Sequence, residues 1–353
     1  MSKQETRLAK RCAASDSIRN TKPGLYGRCA LASILLGICL LAAQGATPQT
    51  PSQLPLQRSP MPLPKEITLP ASLHFTLWNG LMVVQGMVNG PGIERFVIDT
   101  GLNACALSLQ GFKRHDVKLL PQRVRAQALD NLLDAPEGQI DSLQLGGLKL
   151  ANVRVAQADV FAALSRSFRP DAPAGWLGAP FLSAFQITVD FSARTLQLES
   201  PEAKLPAPHG AVVLPIVVRE GQVWVKVAVP GAKPFLALVD TGARGTLIPT
   251  EVAAKLKLKP QQVFTLARAT GQEAKAGLIV LPRLSAGRAE VKELPVVFLA
   301  ADAPPEFDRN LAVLGLDFLS RFKITLNYAK QKMVLAPLPP PASDESDEPT
   351  ALQ

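Results

Sequence analysis

The sequence predicts a mainly β protein made of two tandem lobes, small barrels or sandwich-like units, with short helices. Three observations carry that prediction. FVIDTG at 96–101 returns as ALVDTG at 237–242, an offset of 141. GWLGAPFLSAFQITVDFSARTLQL at 175–198 returns as AVLGLDFLSRFKITLNYAKQKMVL at 312–335, an offset of 137. Between these blocks lie short apolar-rich runs punctuated by Gly and Pro, the pattern of strands and turns. Two blocks in one order and nearly one spacing mark a duplication, and the period is far too long for a solenoid.

The chain has 353 residues, and its folding part is shorter than that. Residues 1–28 hold seven Lys and Arg against Glu5 and Asp16, so +5 of the formal +9 sits here. An apolar run follows at 29–43, with small residues at Ala43 and Gly45. A basic segment, an apolar stretch of this length and a small-x-small site describe a secretory signal cut before Ala46, or an uncleaved signal anchor. Residues 1–45 are therefore expected to be the signal or anchor. The protein is then exported, periplasmic or extracellular, with a possible membrane tether through 29–43. Cys12, Cys29 and Cys39 fall in this leader, which leaves Cys105 alone in the exported part and no internal disulfide.

Residues 46–70 carry seven prolines among Gln, Ser and Thr and read as an extended linker. Residues 337–353, proline-rich and then acidic, read as a disordered tail. The first lobe is expected over 71–199, a linker over 200–210, and the second lobe over 211–336. In each lobe a glycine (Gly80, Gly221) precedes an apolar-rich strand, a glycine-containing turn leads back to the Asp, and a β-hairpin closes the copy. TEVAAKLKL at 250–258 reads as a helix capped by Thr250.

The chemistry follows from the repeat. Asp99 and Asp240 each end an apolar strand and precede Thr-Gly, where glycine lets backbone approach closely. If the halves pack about a pseudo-twofold axis, the two carboxylates meet on it. Two touching carboxylates share one proton and titrate as a unit. One then acts as general base on a water and the other donates to a carbonyl oxygen. That is amide hydrolysis without metal or cofactor.

With IDTG, VDTGA, WLG at 176–178 and VLG at 313–315, the sequence resembles an aspartic protease of the retroviral (retropepsin-like) kind, duplicated into one chain as in two-lobed pepsin. The resemblance runs from about 75 to 335. It implies two acid-protease β-barrel lobes related by pseudo-twofold symmetry, forming a monomeric pseudo-dimer that hydrolyses a peptide or protein substrate. It implies that Asp99 and Asp240 are catalytic and that Thr100 and Thr241 hydrogen-bond across the axis. Gly101 and Gly242 would line the floor under the substrate, and the segments of Gly178 and Gly315 would buttress the Asp strands. Ala243 fits the family pattern; Leu102, after the first DTG, departs from it. Neither position offers a hydroxyl to the carboxylates, so the dyad is expected to be less acidified than in pepsin and best suited to mildly acidic pH. The family closes hairpin flaps over its substrate. Residues 263–281, turning at Thr270 and Gly271, suit one; in the first copy, 129–140 make a poorer hairpin.

Other chemistries find little support. Cys105 corresponds to Thr246 in the repeat and reads as a small buried strand residue. His74, His115 and His209 share no spacing and read as surface or loop residues, and no metal motif is present. Trp176 and Trp224 read as core, and Asp190 and Asp141 as turn or surface acids. The remaining basic excess is dispersed except for KLKLK at 255–259, which reads as a solvated helix face, so nucleic acid is not expected as a partner. The alternative to an enzyme is a catalytically weak or inactive module that binds extended peptides by β-addition.

Overall fold

The computed structural model describes residues 60–128, 131–158, 172–267, 273–305 and 307–338. The leader with its three cysteines, most of the Pro-rich linker, the acidic tail, and Thr270 and Gly271 lie outside the described residues.

The first lobe runs β1 (Ala71–His74), β2 (Thr76–Trp78), β3 (Leu81–Val88), β4 (Gly92–Ile98), β5 (Ala106–Leu107) and α1 (Leu109–Arg114). It continues with β6 (Lys118–Ala128), β7 (Asn131–Leu145), β8 (Leu148–Gln157), β9 (Gly175–Leu177), α2 (Ala179–Leu182), β10 (Gln186–Asp190) and β11 (Thr195–Glu199). The second lobe repeats the plan: β12 (Val212–Arg219), β13 (Gln222–Val227), β14 (Phe235–Val239), β15 (Thr246–Leu247) and α3 (Thr250–Leu256). Then come β16 (Gln262–Ala267), β17 (Glu273–Ala286), β18 (Ala289–Leu299), β19 (Val313–Leu314), α4 (Leu316–Leu319), β20 (Phe322–Asn327) and β21 (Lys332–Pro337).

Alternation decides which face each strand buries. In β8, Leu148, Leu150, Val153 and Val155 are buried while Lys149 and Arg154 face out. In the first lobe β3, β4, β9, β5, β8 and β7 pair in turn, and β7 returns to β3 through Met87 with Gln144 and Val88 with Leu143. The ring closes on a core that includes Phe96, Ile98, Leu107, Phe112, Ile140 and Leu143. The second lobe orders β13, β14, β19, β15, β18 and β17 likewise. Its last gap is spanned by a single bridge, Ala228 with Ser285, through bonds of 2.8 and 3.0 Å.

A third layer joins the lobes. The closing hairpins β10–β11 and β20–β21 meet edge to edge, flanked by β1 and β12, as six antiparallel strands. At their junction Thr188 pairs with Thr325, its own counterpart at the repeat offset of 137, and their hydroxyls lie 2.8 Å apart. The pseudo-twofold axis passes between them.

Four local expectations change. The helix at 250–258 stops at Leu256, Pro249 holds its N-cap position, and the Thr250 hydroxyl donates to Leu299 O instead. Of the three lysines in KLKLK only Lys255 is helical; Lys257 already turns left-handed at the helix end. The first lobe has the matching helix α1, capped by Ser108 accepting from Gly111 N at 3.1 Å, which sequence reading misses. The first copy also pairs as a hairpin: β6 and β7 run together from Ala128–Asn131 down to Arg123–Pro136, so its first arm precedes the 129–140 segment. His115 is buried rather than superficial, its Nε2 3.2 Å from Glu94 Oε2.

Candidate active site

Two equivalent loops form the site. Strand β4 delivers Asp99 and β14 delivers Asp240. Each is anchored by its backbone N–H to the segment lying between the loop's arms, Asp99 to Leu177 O and Asp240 to Leu314 O, both at 3.1 Å. Those are the WLG and VLG segments. β9 runs parallel to β4 and antiparallel to β5, and β19 stands in the same relation to β14 and β15. Each glycine ending these segments sits where backbone crosses backbone. A Cβ on Gly178 would lie 2.0 Å from Ala104 O, and one on Gly315 2.4 Å from Gly245 O.

The threonines lock the loops to one another. Thr100 Oγ1 donates to Val239 O at 2.7 Å and accepts from Thr241 N at 3.0 Å. Thr241 Oγ1 donates to Ile98 O at 2.8 Å and accepts from Thr100 N at 3.1 Å. All four bonds are buried, where a hydrogen bond is stronger and a missing partner costs more.

This grip presents the carboxylates to each other. Gly101 N donates to Asp99 Oδ1 at 2.9 Å and Gly242 N to Asp240 Oδ1 at 2.8 Å. A Cβ on Gly101 would come within 2.4 Å of Asp240 Cγ, and one on Gly242 within 2.5 Å of Asp99 Cγ. Each glycine is the gap through which the opposite carboxyl enters. The two carboxyls hydrogen-bond to each other. Burial pushes Asp99 up to about 6, against N–H donors from Gly101 and Leu102. Asp240 is raised well above the usual carboxylate range, by burial first and then by the charge of Asp99. Between its two titrations the pair holds one shared proton.

Leu102 and Ala243 are both buried. Cys105 is buried and its thiol is pushed up to about 11 by desolvation, so it stays protonated. Its counterpart Thr246 bonds Asp317 through both N (2.9 Å) and Oγ1 (2.6 Å). Asp317 in turn corresponds to Pro180, so both members of this polar pair are apolar in the first lobe. Asp190 and Asn327 do the same work at offset 137: each accepts from the backbone three residues on, Ala193 and Lys330. Trp176 is core, and Trp224 is half-buried. Asp141 is exposed, beside Lys118. Among the described residues no group of three or more His, Cys, Asp or Glu could hold a metal, and no helix is long and apolar enough to cross a membrane.

Sequence reading misses two neighbours of the dyad. Gln222, buried at the start of β13, donates through Nε2 to Gly101 O of the opposite lobe at 2.6 Å. Its sequence signal is faint: a Gln where the other copy has Leu81. Tyr328, the counterpart of Phe191, buries a hydroxyl with no hydrogen-bond partner among the described residues. Burial and the charge of Asp99 hold its pKa well above the usual phenol value.

The comparisons agree with this geometry. Residues 84–181 match a family described as "Aspartyl protease". Residues 225–321 match one described as "gag-polyprotein putative aspartyl protease". Together the matches take in more than half of the chain, one per lobe. No curated protein matches its sequence. Among solved structures the aspartic proteinase from Irpex lacteus superposes with a TM-score of 0.51 at 15% identity, over 76% of this chain and 97% of that one. At that identity the likeness is one of fold. The chain belongs to the retropepsin-like aspartyl proteases, as two tandem copies set out like the two lobes of a pepsin-like proteinase.

Proposed function

We propose that the protein is an aspartic-type endopeptidase that hydrolyses extended peptide or protein substrates with a water activated by Asp99 and Asp240. The observation that carries this is the mutual seating of the two carboxyls, each in the gap left by the other loop's glycine. Asp99, the more acidic member, takes a proton from the attacking water. Asp240, still protonated, donates to the scissile carbonyl oxygen as the tetrahedral centre forms. The hairpins β6–β7 and β16–β17 are the candidate flaps, one from each lobe.

The monoanionic pair is the working state. Below about pH 6 Asp99 gains a proton and the base is lost; at higher pH Asp240 loses its proton and the acid is lost. Activity therefore rises through about pH 6 and falls again above it, which is milder than pepsin-like acidity. The leader at 1–45 supports an exported setting, and the mature chain is then expected to begin at Ala46, which N-terminal sequencing of the secreted protein checks.

Incubation with a mixed peptide library across pH, alongside Asp99→Asn and Asp240→Asn, tests the activity. Cleavage by the parent and its loss in both variants is expected. A parent that binds peptides yet cuts none at any pH would replace the enzyme with the peptide-binding module.

A further inference from the structure

The bonds that the two Asp-Thr-Gly segments make with each other and with themselves are matched on both sides, but one bond that reaches them from the opposite lobe is not. The turn between β12 and β13, with Glu220 and Gly221 at positive φ, reaches the first lobe, where a Cβ on Gly221 would touch Ala179. From the base of that turn Gln222 donates to Gly101 O. The matching turn between β2 and β3, Asn79 and Gly80, reaches the second lobe beside Arg244. Its next residue is Leu81, whose side chain has no hydrogen to donate and is buried in an apolar cluster with Leu316.

The acceptor matters. Gly101 O and the N–H of Leu102 belong to one peptide group, and that N–H donates to Asp99. A donor on the oxygen polarises the peptide and strengthens its N–H as a donor, so the chain Gln222 to Gly101–Leu102 to Asp99 is cooperative. Hydrogen bonds to the charged form of a carboxyl favour that form. The equivalent peptide, Gly242–Ala243, also donates to Asp240, but Leu81 leaves it unpolarised from the other side.

We propose that Gln222 is a positioning residue that assigns the dyad's proton: by polarising the Gly101–Leu102 peptide from the opposite lobe, it makes Asp99 the ionised member and Asp240 the acid. The proposal rests on Asp99 and Asp240 working as a proton-sharing pair.

The test is a titration of the full chain carrying Asp labelled with ¹³C at the carboxyl carbon, assigned with Asp99→Asn and Asp240→Asn. No substrate is needed, so a protein that cuts no peptide still tests the proposal, and cleavage is assayed separately. In Gln222→Leu the lower apparent pKa of the dyad should rise by roughly half a unit, and the acidic limb of any pH–rate profile should move with it. In Leu81→Gln the second loop gains a donor, so both loops carry one, and the same pKa should fall. In Leu81→Gln/Gln222→Leu the donor changes sides, and the carboxyl that ionises first should change from Asp99 to Asp240. A folded Gln222→Leu protein with an unmoved titration would overturn the proposal, as would a swapped variant in which Asp99 still ionises first. If Gln222→Leu does not fold, Leu81→Gln decides alone, because it leaves Gln222 in place; an unmoved titration there is equally fatal.

Discussion

Gly101 and Gly242 show how little room the site leaves. A single methyl on Gly101 would overlap the Asp240 carboxyl, so Gly101→Ala has to push the two loops apart. Misplacement of reacting groups by about 1 Å costs on the order of 100-fold, and kcat/KM on a cleaved peptide should fall at least that far while the variant stays folded. Asp317 gives a different residue-scale prediction. Burial pushes its carboxyl up to about 6 despite three donors, Thr246 N, Thr246 Oγ1 and Phe318 N. The folded state then binds a proton that the unfolded chain has already released. Its contribution to stability is full below about pH 4 and declines as pH rises through about 6. Since Asp317 keeps an edge to solvent, the decline is about 2 kcal/mol. Urea unfolding at pH 4.5 and 7.5 should show a smaller pH dependence in Asp317→Asn than in the parent. The first lobe avoids this cost with Cys105 and Pro180, since replacing both partners of a buried polar pair by apolar groups can be nearly neutral.

Among the elements, the barrel closures differ in strength. The first is sealed by two paired residues on each strand, the second by the Ala228–Ser285 bridge alone. Local opening should start at the weaker seam. The amides of Ala228 and Ser285 should exchange with solvent faster than those of Met87 and Val88, by about tenfold for each 1.4 kcal/mol of difference. The frame of both barrels is legible in the sequence because the duplication prints every catalytic-loop element twice: the DTG strands, the LG segments and the closing hairpins. The first flap hairpin is not. In β6 the register shifts between Leu119 and Arg123, so alternation is broken, and the sequence between the two arms, Leu129 and Asp130, offers no glycine. The burial of His115 at the end of α1 is equally silent, because its partner Glu94 lies 21 residues away on β4. Of the site, Asp99, Asp240 and the Thr-Gly pairs are readable from motif and symmetry together. Gln222 is readable only as a departure from that symmetry, which is why a single polar residue at an apolar position of a repeat is informative.

For the whole molecule, the six-stranded layer is the joint that makes one site from two copies. Its centre, Thr188 against Thr325, and the grip of Thr100 on Thr241 lie on the same axis. A protease cut within 200–210 should leave both fragments bound to each other through β10 and β20, and gel filtration after such a cut should still give a single peak at the mass of the intact chain.

The link over 200–210 also has a meaning in mass action. A site assembled from two separate chains dissolves on dilution, because each half must find its partner. Here β11 and β12 are joined by a dozen residues, which fixes the partner at an effective concentration of roughly millimolar. The fraction of molecules with an assembled dyad then no longer depends on how much protein is present. Activity per mole should stay constant from micromolar to sub-nanomolar protein. Constancy under dilution is what the duplication supplies.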